Sequence, residues 1–182
     1  MFSWKILLTT LIFLFYFDCN SVKNNNLTEN ISQNVKTDGD EVPNDLLITL
    51  ERTACYGTCP AYKLSVKSDG IVSFEGVSNT KVKGKIEEKI SIEKVRQLIK
   101  EFEIANYFNL NGKFDSKNCY QWTDNPSTLT SIQINGEKKN IDHYQGCREG
   151  DDDFKKKLSK LTELENKTDE IVETKRWIGE GK

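Results

Sequence analysis

Five cysteines constrain this chain of 182 residues more than any other feature. Cys19 stands just past an apolar run, and the other four are Cys55, Cys59, Cys119 and Cys147. The run, Ile6 to Phe17, follows Lys5. It falls short of the roughly 20 apolar residues that a membrane span needs, but it suits the core of an export signal. An even number of cysteines in an exported chain points to disulfides, with three possible pairings. Cys55 and Cys59 are close enough to seal a small loop, and Gly57 permits the tight bend. Joining Cys119 to Cys147 would close a longer loop, which in the chain-entropy model contributes about 3 kcal/mol.

Two other chemistries compete for these thiols. Catalytic dithiols usually hold two residues between the cysteines at a helix N-terminus. Here three intervene, Pro60 follows, and the surroundings read as strand. Zinc would take Cys55 and Cys59 with His143 and Cys147, an accepted set of three thiolates and one imidazole, but it would strand Cys119. Disulfides at Cys55, Cys59, Cys119 and Cys147 are therefore the expectation, with no metal and no cofactor.

The export segment is assigned to residues 1–18. A cysteine after such a core and before a polar stretch resembles a bacterial lipoprotein signal, in which that cysteine is lipidated and begins the mature chain. Tyr16, Phe17 and Asp18 depart from the aliphatic and small residues such signals favour. Residues 19–44 are dense in Asn, Ser, Thr and Asp. They can bury too little to offset the entropy of ordering, so a disordered tether is expected there. The expected partner of this end is a membrane, reached through lipid on Cys19.

One folded domain, residues 45–182, should follow. Leu46, Ile48 and Leu50 alternate with wetter neighbours, as do Tyr62, Leu64 and Val66. Asp69-Gly70 reads as a hairpin turn into Val72 and Phe74, and a lysine-rich strand over 81–90 would blunt a sheet edge. Ser91 can cap a helix that runs to about Asn106. Thr128 to Ile134 and Lys138 to Tyr144 read as strands joined at Asn135-Gly136. Asp151, Asp152 and Asp153 open a last helix with Phe154, Leu158, Leu161 and Leu164 on its apolar stripe, and the Trp177-Ile178 tail should fold back on the core. The predicted class is α+β: a mostly antiparallel sheet of five or six strands with two helices on one face.

The block Cys55-Tyr56-Gly57-Thr58-Cys59-Pro60-Ala61-Tyr62, then Asp69-Gly70, Thr123-Asp124 with Pro126, and the Trp177-Ile178 tail resemble the bacterial family called domain of unknown function 6438. The resemblance spans roughly 46–179. It implies an envelope-associated protein, often a lipoprotein, and brings no assigned activity.

A net charge of -2 argues against a nucleic-acid partner, and no nucleotide loop, Gly-x-Ser-x-Gly elbow or His-Glu-x-x-His helix is present. Five residues stand out as binding candidates: Arg52, Tyr56, Trp122, Asp124 and His143. Arg52 can bind an anion or pair with a carboxylate and stiffen its loop. Trp122 and Asp124 lie in a turn-forming connection, where Trp122 either packs over the sheet edge or anchors a partner. His143 can be a general base, or simply a hydrogen-bonded strand residue. The leading reading is a non-enzymatic envelope protein that binds an unknown protein or small molecule. Its rivals are a small hydrolase or other enzyme that uses His143, Asp124 and Arg52, and a protein inhibitor. For a binder, the surface joining the Cys55–Cys59 loop to the Tyr120–Pro126 connection is favoured, provided both lie at one end of the sheet.

Overall fold

The computed structural model describes residues 41–115 and 119–179. The export segment, Cys19 and all but the last few residues of the tether lie outside the described residues. Among the described residues, Val42 is the first apolar side chain packed against the core.

The chain runs β1 (Leu47–Arg52), β2 (Ala61–Lys67), β3 (Ile71–Ser78), β4 (Gly84–Lys89), α1 (Ile92–Ile104), a 3-10 turn (Tyr107–Asn109), β5 (Lys113–Phe114), β6 (Tyr120–Gln121), β7 (Ser127–Ile134), β8 (Glu137–Tyr144), β9 (Cys147–Glu149), α2 (Asp152–Val172) and the short α3 (Lys175–Ile178). Seven strands form the main sheet in the order β4-β3-β2-β1-β7-β8-β5, and β6 and β9 make a separate two-stranded ribbon. The expectation of five or six mostly antiparallel strands is corrected: the sheet has seven strands and is mixed, because β5 adds to β8 in the parallel sense. β5 is only two residues long, far too short to show an alternation. What holds it is Phe114, fully buried with its ring 5.3 Å from that of Phe154.

Alternation decides the faces. Ile48, Leu50, Leu64, Val66, Val72, Phe74, Ile132 and Ile141 point inward and join Val95, Leu98 and Phe102 of α1 and Leu161, Leu164 and Val172 of α2 in one core. The opposite face stays wet and carries the cross-strand pair Glu51–Lys63 at 3.5 Å. β4 is an edge strand whose side chains are mostly exposed, as its lysines imply.

Caps set the helix ends. The Ser91 hydroxyl accepts from Lys94 N, and the Asp151 carboxylate accepts from Phe154 N at 2.8 Å. Asp152 and Asp153 then sit where the helix dipole favours negative charge. After α2, Trp177 turns back onto Phe74 with ring centroids 5.0 Å apart. Its neighbours are pinned by Lys81 N donating to Ile178 O and Val82 N to Trp177 O, both at 2.9 Å.

Of the three pairings, the structure has Cys55–Cys59 and Cys119–Cys147. Cys119–Cys147 closes the wider loop, with a sequence separation of 28 against 4. In chemical denaturation, replacing both Cys119 and Cys147 by Ser should therefore cost about 3–4 kcal/mol, and replacing both Cys55 and Cys59 about 2 kcal/mol. Equal losses would mean that loop entropy is not what these bridges contribute.

Candidate functional site

The end of β1 and the start of β7 are neighbours. Thr53 N donates to Ser127 O at 2.9 Å, and Ser127 N donates to Thr53 Oγ1 at 2.7 Å. The Cys55–Cys59 loop and the Trp122–Pro126 connection therefore leave the sheet at the same end.

Each segment is fixed locally. The Cys55–Cys59 loop is closed by its disulfide and passes through Gly57 at φ 150. Asn79, itself left-handed at φ 52, donates from Nδ2 to Cys59 O at 3.1 Å and to Gly57 O at 3.4 Å. Tyr56 rides on this braced loop at 94% exposure. In the other segment the Tyr144 hydroxyl donates to Trp122 O at 2.7 Å and accepts from Asn125 N at 3.1 Å. Trp122 O also lies 2.3 Å from where a Cβ on residue 146 would sit, so only Gly146 fits there. Trp122 is 58% exposed rather than packed over the sheet edge, and Asp124 is an exposed turn residue at φ 63.

Beneath these loops the core turns polar. Arg52 continues the inward row of Ile48 and Leu50, so its guanidinium lies under α2. There it meets Asp169, whose Oδ2 accepts from Arg52 Nη2 at 2.8 Å and from Nε at 2.9 Å. Asp169 Oδ1 accepts from the Tyr62 hydroxyl at 2.6 Å and from Thr174 at 2.8 Å. The outer edge of Arg52 makes two longer contacts, Nη1 to Thr128 Oγ1 and Nη2 to Asn166 Oδ1, both 3.3 Å. Burial is the largest single influence and opposes the Arg52 charge, but Asp169, Tyr62 and Glu165 together outweigh it and hold the guanidinium pKa above its ordinary value. Burial, and then the charge of Asp169, push the Tyr62 phenol upward as well.

The chain of bonds continues into the core. Gln145 Nε2 donates to Thr128 Oγ1 at 2.8 Å and to Glu165 Oε2 at 3.2 Å. His143 Nδ1 lies 3.0 Å from both Glu165 oxygens, with the two residues 2% and 1% exposed. A carboxylate this deep is tolerable only with such partners. Tyr62, Asp169, Arg52, Thr128, Gln145, Glu165 and His143 thus form one continuous hydrogen-bonded network between sheet and helix.

A cavity of about 800 Å3 opens over its Arg52 end. Cys59, Pro60 and Pro126 wall one side, and Asn166, Glu170 and Ile178 the other. A second cavity, of about 650 Å3, lies toward His143 and Cys147 and shares Gln145, Asn166 and Glu170 with the first.

Arg52 and His143 are therefore brought into one network, but Asp124 is not: it stands in its exposed turn and lines neither cavity. A site built on His143, Asp124 and Arg52 together is corrected accordingly, and the carboxylates beside His143 and Arg52 are Glu165 and Asp169. The zinc set is also displaced, because its thiols are consumed in disulfides and His143 bonds to Glu165 instead. The sequence reading missed Glu165 and Asp169. The signal for Glu165 lies in helical spacing: positions 161, 165, 168 and 172 share one stripe, so Glu165 falls on the buried face.

Asp169→Asn should destabilise the fold by roughly 2 kcal/mol in urea denaturation, between the values typical of exposed and fully buried pairs, because Arg52 loses its counter-charge. Tyr56→Ala should stay within about 0.5 kcal/mol of wild type, since an exposed side chain holds nothing together. A large loss at Tyr56 would mean that the loop packs differently from this description.

Residues 46–172 match the family described as Domain of unknown function (DUF6438). No curated protein matches the chain. The matched span runs from the start of β1 to the end of α2 and contains both disulfides and every member of the buried network except the Thr174 contact. By that match the chain belongs to the DUF6438 family.

Proposed function

We propose that this protein is a non-enzymatic binding module of the cell envelope, held to a membrane by lipid on Cys19, with the cavity over Arg52 as its binding site. The observation that carries the reading is the floor of that cavity. Arg52, Asp169, Tyr62 and Thr174 are already bonded to one another, so the floor is rigid before any ligand arrives. A preorganised polar floor beneath partly apolar walls is what a selective pocket needs. The groups there are poorly suited to attack a substrate: Cys59 is in a disulfide, and burial with a neighbouring carboxylate holds the Tyr62 hydroxyl protonated.

Location supports the same reading. Two disulfides fit an oxidising compartment outside the cytoplasm. Among the described residues, no helix is long and apolar enough to cross a membrane. The chain reaches β1 at the opposite end from the cavity, where the Asp45 carboxylate accepts from Gly136 N at 2.7 Å and Asn135 N at 3.0 Å. Those amide bonds hold the Asp45 carboxyl below its ordinary pKa. A lipid anchor on this arm would leave the cavity at the far end of β1, about 20 Å away.

One observation favours an enzyme instead. His143, oriented by Glu165, borders the second cavity, and a carboxylate-oriented imidazole can serve as a general base. If that reading holds, His143→Gln should abolish turnover of ester, amide or glycoside substrates while the protein stays folded.

Two measurements test the binding reading. Cys19→Ser should move the protein from the detergent phase to the aqueous phase and remove incorporated fatty acid; unchanged partitioning would remove the anchor. Native mass spectrometry of protein released from the envelope should show an added mass that Asn166→Trp, which fills the cavity mouth, eliminates. The same mass on both forms would place the ligand elsewhere.

A further inference from the structure

We infer that the ligand class of the cavity over Arg52 is a neutral saccharide of one or two rings; this rests on the reading of that cavity as the binding site.

Charge narrows the choice first. The side edge of the guanidinium is taken by Asp169 Oδ2, and the other oxygen of Asp169 already accepts from Tyr62 and Thr174. The ion pair is therefore self-contained. At the rim, Glu170 bonds to Lys167 at 2.8 Å, and Glu173 pairs with Lys94. An anionic ligand would find Arg52 already neutralised by Asp169, and Lys175, the other cation lining the cavity, engaged in an interaction of its own. A cationic ligand would have to displace a lysine from a carboxylate that it holds. A ligand without net charge meets neither obstacle.

The groups left to make bonds are of mixed type. Arg52 has five N–H groups. Its Nη1 and Nη2 reach Thr128 and Asn166 only at 3.3 Å, long enough for a ligand oxygen to join or replace them. Asn166 uses its oxygen toward Arg52, which leaves its NH2 as a donor. Gln145 uses its NH2 toward Thr128 and Glu165, which leaves its oxygen as an acceptor. Donors and an acceptor thus line the same cavity. A hydroxyl both donates and accepts, so neighbouring sugar hydroxyls suit such a set. A peptide could not bind here by adding a strand, because β1 is paired on both sides, with β2 and with β7. The walls at Pro60, Pro126 and Ile178 offer apolar surface to the C–H faces of a ring. The volume of about 800 Å3 lies within the usual range for small-ligand sites.

The test is protein-observed NMR titration of the full chain, solubilised in detergent, with maltose, cellobiose, the N-acetylglucosamine disaccharide, a digalacturonate and the tripeptide Gly-Pro-Ala. At least one neutral disaccharide should shift the resonances of Arg52, Gln145 and Asn166, with digalacturonate at least tenfold weaker. Asn166→Ala, at an exposed position that leaves the fold intact, should weaken the neutral sugar about tenfold. Cavity shifts with the tripeptide or the uronate, and none with a neutral sugar, would overturn the saccharide class and leave the binding site standing. No shift at the cavity with any probe would overturn both.

Discussion

The bond between Arg52 and Asp169 decides how this fold closes at one end. Arg52 occupies a core-facing position of a central strand, where an unpaired charge would be expelled from the interior. Asp169 reaches it from the C-terminal half of α2 and also gathers Tyr62 of β2 and Thr174 after the helix. One carboxylate therefore locks a helix to two strands and to the segment leading into α3. Burial of Leu161, Leu164 and Val172 would allow α2 to slide along the sheet, because apolar contact is not directional. The fork of Arg52 on Asp169 is directional, so it fixes the register of the helix.

His143 and Glu165 make a second lock deeper in the same interface. Gln145 and Thr128 join the two, so the polar groups act as a unit rather than as isolated pairs. A partly satisfied network in a core is worse than none, because each unpaired group loses its water without replacement. This explains why an amide side chain, two hydroxyls and two carboxylates accumulate where an ordinary core would carry leucine. The disulfide of the Cys55–Cys59 loop and the Asn79 contacts then hold the roof above this floor.

Much of this was legible in the residues. Strands β1, β2, β3, β7 and β8 follow from alternation, both long helices from their caps and stripes, and the return of Trp177 from its isolation in a polar tail. β5, β6 and β9 were not legible, because two or three residues carry no period and their pairing is fixed by Phe114 and by the Cys119–Cys147 bridge. The site was half legible. Arg52 and His143 stood out as chemical types, but their partners lie 117 and 22 residues away in sequence. Spacing alone puts Glu165 on the buried stripe, but Asp169 looks like an ordinary helix carboxylate until the helix is rotated against a specific sheet. Asp124, beside a tryptophan and a proline, looked functional for reasons that belong to turn geometry.

The position of β1 has a mechanical consequence. β1 lies between β2 and β7 and pairs antiparallel with each along all six of its residues. The N-terminal arm enters directly at its lower end, beside the Asp45 clamp. A pull transmitted through that arm would run along the strand axis and load both ladders in shear, so their bonds share the force instead of parting one after another. A domain held by its N-terminal arm is thus grasped by the strand that is hardest to peel away.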